Sequence, residues 1–297
     1  MKSGNVKPKI YVRRARGSDR EAVFKFCMKT WSWGDYIPKV WDKWLKEKSG
    51  KVFIATIDGV PVGISHLSID KPHEVWLSGA RTDPNYRRMG IATAMTKKCL
   101  EYAKHKGAKV ARLTTESDNI AAQAVIKKLG FKLISKFTEM TTENITEENS
   151  KKSRWAEETE TEALWNYLQT SETYRKAAGL YTVLFHWFSL EKEDLKRFIE
   201  QRKAILHQNK TSKIDGIILI DDVTAQEWHE NTIQTCYIDG NFNAIFDMVR
   251  FLKSHCHTLG IKKIYGFTCN HKPIITALEK LGFERQETTE IIYEKKI

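Results

Sequence analysis

The residues best suited to chemistry run from Thr82 to Thr93, in the order Thr-Asp-Pro-Asn-Tyr-Arg-Arg-Met-Gly-Ile-Ala-Thr. Arg87 and Arg88 supply fork-shaped cationic donors that suit phosphate oxygens. Gly90 and the small Ala92 let the backbone bend closely around a ligand. A helix starting near Gly90 offers its unpaired first-turn amides at the positive end of its dipole. These features predict a phosphate-binding turn between a strand and a helix. A second group, Trp33, Asp35 and Tyr36, lies in the aromatic segment Trp31–Leu45. There a substrate cation could sit over the rings and pair with Asp35. Trp41 and Trp44, three apart on a helix, read as packing residues.

These residues need strands and helices to hold them. A strand over residues 10–15 leads into a helix whose start reads as a capping box, Ser18 with Glu21. Strands over 51–56 and 60–66 flank Asp58-Gly59, a two-residue hairpin signal. Glu74–Thr82 is the strand feeding the turn, and the helix after it runs to about Lys106. Lys109–Thr115 is a strand, Ile120–Leu129 a helix, and a strand begins at Phe131. Residues 141–153 lack an apolar pattern and read as a linker. Beyond them, 157–170, 192–205, 244–259 and 273–281 read as helices, and 216–222, 231–238, 263–268 and 288–293 as strands.

The two halves repeat weakly. Gly107–Thr115 lines up with Gly260–Thr268, and each is followed by a helix ending in Leu-Gly-Phe, at 129–131 and 281–283. Similar order and spacing suggest a duplicated unit, divided as 1–145 and 146–297.

Composition narrows the class. The 297 residues carry 49 Lys and Arg against 37 Asp and Glu, a net charge of +12. Residues 1–145 hold 28 of the basic and 14 of the acidic residues, while the rest hold 21 and 23. The surplus thus sits in the half with the phosphate turn, and no nucleic-acid motif accompanies it, so nucleic-acid binding is not expected. No segment reaches the ~18 apolar residues needed to span a bilayer, and Met1–Lys9 does not read as a signal peptide. Five scattered cysteines suit a reducing setting, so a cytoplasmic location is expected. His255-Cys256-His257 is not read as a zinc site, because adjacent helical residues point apart.

From residue 10 to 140 the chain resembles the GCN5-related N-acetyltransferase superfamily. Its Arg/Gln-x-x-Gly-x-Gly/Ala signature is matched by Arg87, Gly90 and Ala92. The Asp58-Gly59 hairpin, Asp83-Pro84-x-Tyr86, Asn119 and Leu129-Gly130-Phe131 follow in the expected order. The resemblance implies a mixed, mostly antiparallel sheet flanked by helices, the acyl-CoA N-acyltransferase fold, with a degenerate second copy. It implies acetyl-coenzyme A as co-substrate, with Arg87, Arg88, Met89, Gly90, Ile91, Ala92 and Thr93 around its pyrophosphate. It also implies that Ala80, Arg81 and Thr82 pair with the pantetheine arm and that Asn119 hydrogen-bonds it.

Two departures concern proton transfer. The family's usual strand glutamate is here Ser78, and its usual helix tyrosine is here Ile126. The candidate catalytic residues are Ser78 itself, Glu74, on Ser78's face of the strand by the two-residue period, and Glu116, ending the next strand, with the two glutamates as the candidate replacements. Attack by an already neutral amine is the alternative. The segment Gly34–Pro38 with Trp44-Leu45 looks like part of the histidine N-acetyltransferase branch, which favours a small amine or amino acid as acceptor. A cofactor sensor without turnover and a protein acetyltransferase stand as the other readings.

Overall fold

The computed structural model describes residues 8–28, 30, 34–223 and 229–297. It divides into two compact units. The first comprises the chain to Thr114 together with Asn119–Lys132 and Tyr293–Ile297; the second comprises Thr115–Asp118 and Leu133–Ile292. This division differs from a single cut after residue 145, since the strand following Phe131 groups with the second unit and five late residues with the first.

The first unit is built from β1 (Tyr11–Arg14), α1 (Arg20–Cys27), α2 (Ile37–Lys46), β2 (Gly50–Ile57), β3 (Val60–Lys71), β4 (Glu74–Thr82), α3 (Ile91–His105), β5 (Val110–Glu116) and α4 (Ile120–Lys128). The sheet order is β1-β2-β3-β4-β5, antiparallel except between β4 and β5. Asp58 (φ 49°) and Gly59 (φ 83°) both take the left-handed conformation, as a tight β2–β3 turn requires. Two apolar layers cover the sheet: Val23, Phe26, Ile37 and Trp41 of α1 and α2 pack with Val52, Ile54 and Ile64. Ile91 and Met95 of α3 pack with Ala55, Ile57 and Val62.

The expected capping box is replaced by another device. Asp19, not Ser18, anchors the entry to α1, accepting the Arg16 N–H at 2.8 Å and both arms of the Arg13 guanidinium at 2.7 and 2.8 Å. Burial opposes the Asp19 charge, but Arg13 and the Arg16 amide outweigh it and hold the carboxyl below its ordinary range.

The second unit contains β6 (Lys132–Thr142), β7 (Ser153–Trp155), α5 (Thr161–Thr170), α6 (Glu172–Lys176), β8 (Leu180–Val183), β9 (His186–Ser189), α7 (Lys192–Glu200), β10 (Ala204–Gln208), β11 (Ile214–Asp222), β12 (Thr232–Gly240), α8 (Phe242–Thr258), β13 (Lys263–Cys269), α9 (Lys272–Lys280) and β14 (Glu284–Lys296) as far as Ile292. Its strand order is β14-β6-β13-β12-β11-β10-β7, and β12 and β13 are its parallel pair. The antiparallel, parallel and helical order of the first unit is therefore repeated. Gly107, Gly130, Gly260 and Gly282 all close helices at positive φ, between 70° and 82°.

Two expected elements change, and a further hairpin is present. The helix over 192–205 stops at Glu200, Arg202 turns left-handed (φ 55°), and the fully buried Ile205 and Leu206 belong to β10. The aromatic stretch after Leu180 is the β8–β9 hairpin. The linker is held down, since Asp247 accepts the amides of Lys151 and Lys152 and the Ser153 hydroxyl.

Arg112 of β5 is a buried cation of the first unit. Its guanidinium reaches Glu74 at 2.9 Å and Glu294 at 2.9 Å, with the arginine side chain 7% exposed. Arg112→Met is expected to cost about 3 kcal/mol, because both carboxylates would be left partly buried without their cation. The loss should appear as a lower midpoint in urea unfolding.

Candidate active site

The site begins with a fault in β4. Along β3 the partners are Ile64 with Arg81 and His66 with Ser78, so β4 carries one extra residue at Gly79–Ala80. Gly79 takes φ +62°, and a Cβ there would lie 2.7 Å from the Trp44 ring. Only glycine meets both demands. On the other side, β4 and β5 pair at Glu74–Val110, Val75–Ala111 and Trp76–Arg112, while β4 runs on to Thr82. The bulged end of β4 thus projects past the parallel pairing.

The turn beyond β4 leads into α3 through Gly90 at φ +90° and Arg88 at φ +64°. No side chain caps this helix, and its first turn carries no acidic residue. Arg87, Arg88, Met89 and Gly90 are exposed, Ile91 is buried, and Ala92 and Thr93 are half-buried. A Cβ on Gly63 would fall 2.7 Å from Ile91 and 3.1 Å from the Arg81 carbonyl oxygen. That bare position lets the start of α3 lie close against β3.

The face under α2 carries a chain of polar groups. His66 Nδ1 lies 3.1 Å from Ser78 Oγ, and His66 Nε2 lies 2.8 Å from Glu47 Oε2. The imidazole is 2% exposed and stacks flat on Trp44, with centroids 4.2 Å apart and planes within 2°. The His66 hydrogen bond holds the Glu47 carboxyl below its ordinary value, outweighing partial burial. The sequence reading did not find His66 or Glu47. His66 is signalled only as a histidine within a mostly buried strand, which gives no hint of partners 19 and 12 positions away.

Asp35 is withdrawn from its expected role. Its carboxylate is fully buried, accepts the Arg81 Nε–H at 2.7 Å, and accepts the Ile37 amide at 3.1 Å. A substrate cation would have to displace Arg81, so Asp35 is a structural partner of α2 and β4. The Arg81 side chain is correspondingly turned to Asp35 and the Tyr36 ring, 5.4 Å from its centroid. Tyr36 packs edge-on against Trp44 at 5.9 Å, and burial raises its phenol. Trp33 lies outside the described residues.

The expected carboxylate replacements are placed elsewhere. Glu74 starts β4 in its ion pair with Arg112, about 13 Å along the strand from Ser78. Glu116 ends β5, exposed, among residues that group with the second unit. Asn119 caps α4, its side-chain oxygen accepting the Ala122 amide at 3.1 Å, which leaves its NH₂ for a ligand. Ile126 is core. Of the His255 group, Cys256 is buried, His257 is exposed, and His255 meets Trp155 edge-on.

The corresponding turn of the second unit is closed by its own side chains. Asn241 caps α8 by accepting the Ala244 amide at 3.0 Å and donates to Asp215 at 2.8 Å. Buried Asp239 accepts the hydroxyls of Tyr237, Tyr167 and Ser171 at 2.8, 3.2 and 2.5 Å. A capped helix flanked by two carboxylates does not attract phosphate.

A parallel pair that ends early beside a bulged strand and an uncapped helix start defines the acyl-CoA acyltransferase class of fold. Residues 20–131 match the acetyltransferase (GNAT) family model, and this segment is a GNAT domain. Over 134 residues the chain is 29% identical to an uncharacterized N-acetyltransferase of Methanocaldococcus jannaschii, covering 41% of this chain and 53% of that one. Over 109 residues it is 33% identical to the histidine N-acetyltransferase of Xenopus tropicalis, covering 34% and 33%. The matched regions therefore span about half and a third of these relatives. The crystal structure of a GCN5-related N-acetyltransferase from Sphaerobacter thermophilus superposes with a TM-score of 0.64 at 9% identity, covering 97% of this chain and 95% of that one. The fold likeness thus extends through both units. Among the described residues no helix is long and apolar enough to cross a membrane.

Two outcomes follow. Asp35→Ala should lower stability by about 2–3 kcal/mol in chemical unfolding, since it strands Arg81 at a mostly buried position. For Glu47 the carboxyl is depressed in the folded state, so its stabilisation is complete above the ordinary value of 4.5 and lost as pH falls through the folded value. The gap in urea midpoint between the parent and Glu47→Gln should hold at pH 5–7 and shrink at lower pH.

Proposed function

We propose that this chain transfers the acetyl group of acetyl-coenzyme A to the primary amine of a small molecule. The observation that carries the reading is the uncapped, exposed start of α3, with Arg87 and Arg88 ahead of it and the bulged end of β4 beside it. The amides of Gly90 to Thr93 and the two guanidinium groups hold the pyrophosphate. The backbone of Ala80–Thr82, beyond the bulge, pairs with the pantetheine arm, and the Asn119 NH₂ donates to it.

Held this way, the thioester carbonyl meets the backbone at the β4 bulge, whose amides stabilise the oxyanion of a tetrahedral intermediate. The amine attacks the carbonyl carbon, the C–N bond forms, and the C–S bond breaks with its electron pair going to sulfur. Positioning the two reactants is a large part of the rate. A small acceptor is favoured by the partial similarity to a histidine N-acetyltransferase and by the Tyr36–Trp44 surface over His66.

Calorimetry with acetyl-coenzyme A tests the cofactor half, and thiol release over a panel of amino acids and polyamines tests turnover. Arg87→Ala with Arg88→Ala is expected to weaken acetyl-coenzyme A binding by roughly 10–100-fold, two lost charge-assisted contacts. Absence of binding by the parent protein would sink the reading. Binding without turnover for any amine would favour the sensor reading, which the serine at position 78 motivates.

A further inference from the structure

We propose that Ser78, His66 and Glu47 form the proton path of the acetyl transfer, with Ser78 facing the amine and the other two acting through it. The inference rests on the acetyl-transfer reading above and names the base which that reading leaves open. Ser78 stands one residue before the β4 bulge, where the thioester carbonyl would lie. Its hydroxyl is 3.1 Å from His66 Nδ1. Glu47, 2.8 Å from Nε2, fixes the proton on that nitrogen and so leaves the Nδ1 lone pair toward Ser78. The carboxylate also balances the imidazolium that forms when a proton arrives.

The surroundings are shaped for this contact. A Cβ on Gly50 would lie 2.5 Å from Glu47 Oε2 and 2.9 Å from His66 Nε2, so the carboxylate–imidazole joint requires a bare backbone there. Trp44 covers one face of the ring and excludes water from it. The other charged groups around the path are Lys51 of β2, whose Nζ lies 3.5 Å from the Glu47 carbonyl oxygen, and Asp70 of β3, which acts on Glu47. Beyond Trp44 stand Tyr36 and the Arg81–Asp35 pair, whose charges cancel.

The step balances without a further reactant. The incoming ammonium gives one proton to Ser78 Oγ while the Ser78 hydroxyl proton passes to His66 Nδ1. The neutral amine then attacks the thioester, C–N forms and C–S breaks, and the second nitrogen proton goes to the departing thiolate. The imidazolium returns its proton to water after the products leave.

The test compares the full-length parent with His66→Gln, Glu47→Gln, Glu47→Asp, Ser78→Ala and Gly50→Ala. The probe is the amine that turns over fastest in the panel, read as thiol release, and absence of turnover of every amine by the acetyl-coenzyme A-bound parent overturns the relay together with the transferase reading. His66→Gln should lower kcat by about 100-fold, the low end of general-base effects, with acetyl-coenzyme A Kd and acceptor KM within twofold of the parent. It should also lose the acid-side limb of the kcat–pH profile. Ser78→Ala and Gly50→Ala should lower kcat by about 10-fold, and Glu47→Asp should recover activity that Glu47→Gln loses. Should the buried His66 variant fail to fold, Ser78→Ala and the Glu47 pair decide. A parent-like kcat and pH profile in the variants that fold, with acetyl-coenzyme A bound, overturns the relay and leaves the transferase reading standing. Failure of the parent to bind acetyl-coenzyme A overturns both.

Discussion

The first unit depends on one local constraint, the left-handed Gly79 pressed beneath the Trp44 ring. This residue inserts an extra position into β4, and the insertion turns the strand's last residues away from a regular ladder. Upstream of it Ser78 is in register with His66; downstream Arg81 is in register with Ile64 and turned to Asp35. Trp44 then links the bulge to the imidazole by stacking and to Tyr36 by an edge contact. Strand geometry, the polar chain and the aromatic surface are thus fastened at a single backbone position. A methyl group there would collide with the ring and force an unfavourable φ at the same time.

Much of this was legible from residue order. Asp58-Gly59 dictates its turn because few dipeptides accept two left-handed residues. Arg87-Arg88-Met89-Gly90 reads as a turn into a helix, since the cue is local: a glycine that accepts the left-handed conformation just before the apolar pattern begins. What escaped the reading is what depends on distant partners. Asp35 beside aromatic residues looks like a receptor for a cation until Arg81, 46 positions away, takes the carboxylate. Glu74 looks available until Arg112 is seen against it. His66 is one polar residue in a long strand, and nothing local marks the Glu47 and Ser78 contacts. The helix expected through Ile205 fails for another reason: short apolar runs fit a buried strand as well as a helix, and Arg202 decides between them.

The two units use one pattern of strands for opposite electrostatic ends. In the first, glycines and arginines leave helical amides open to an anion. In the second, Asn241 occupies those amides, and Asp239 is wrapped by three hydroxyls where the first has Arg81 paired with Asp35. The uneven charge of the sequence follows this difference only in part, because many basic residues of residues 1–145 lie outside the Arg87–Thr93 turn.

The ion cluster at Arg112 also bears on how the chain assembles. Its partner Glu294 is 182 positions further along, and Tyr293–Ile297 group with the first unit. A ribosome emits residues one after another, so the early-made sheet spends the time needed to synthesise the entire second unit with its buried arginine lacking one of its two carboxylate partners. Completion of the older unit is therefore postponed until the younger one exists. The order of synthesis and the order of maturation run in opposite directions.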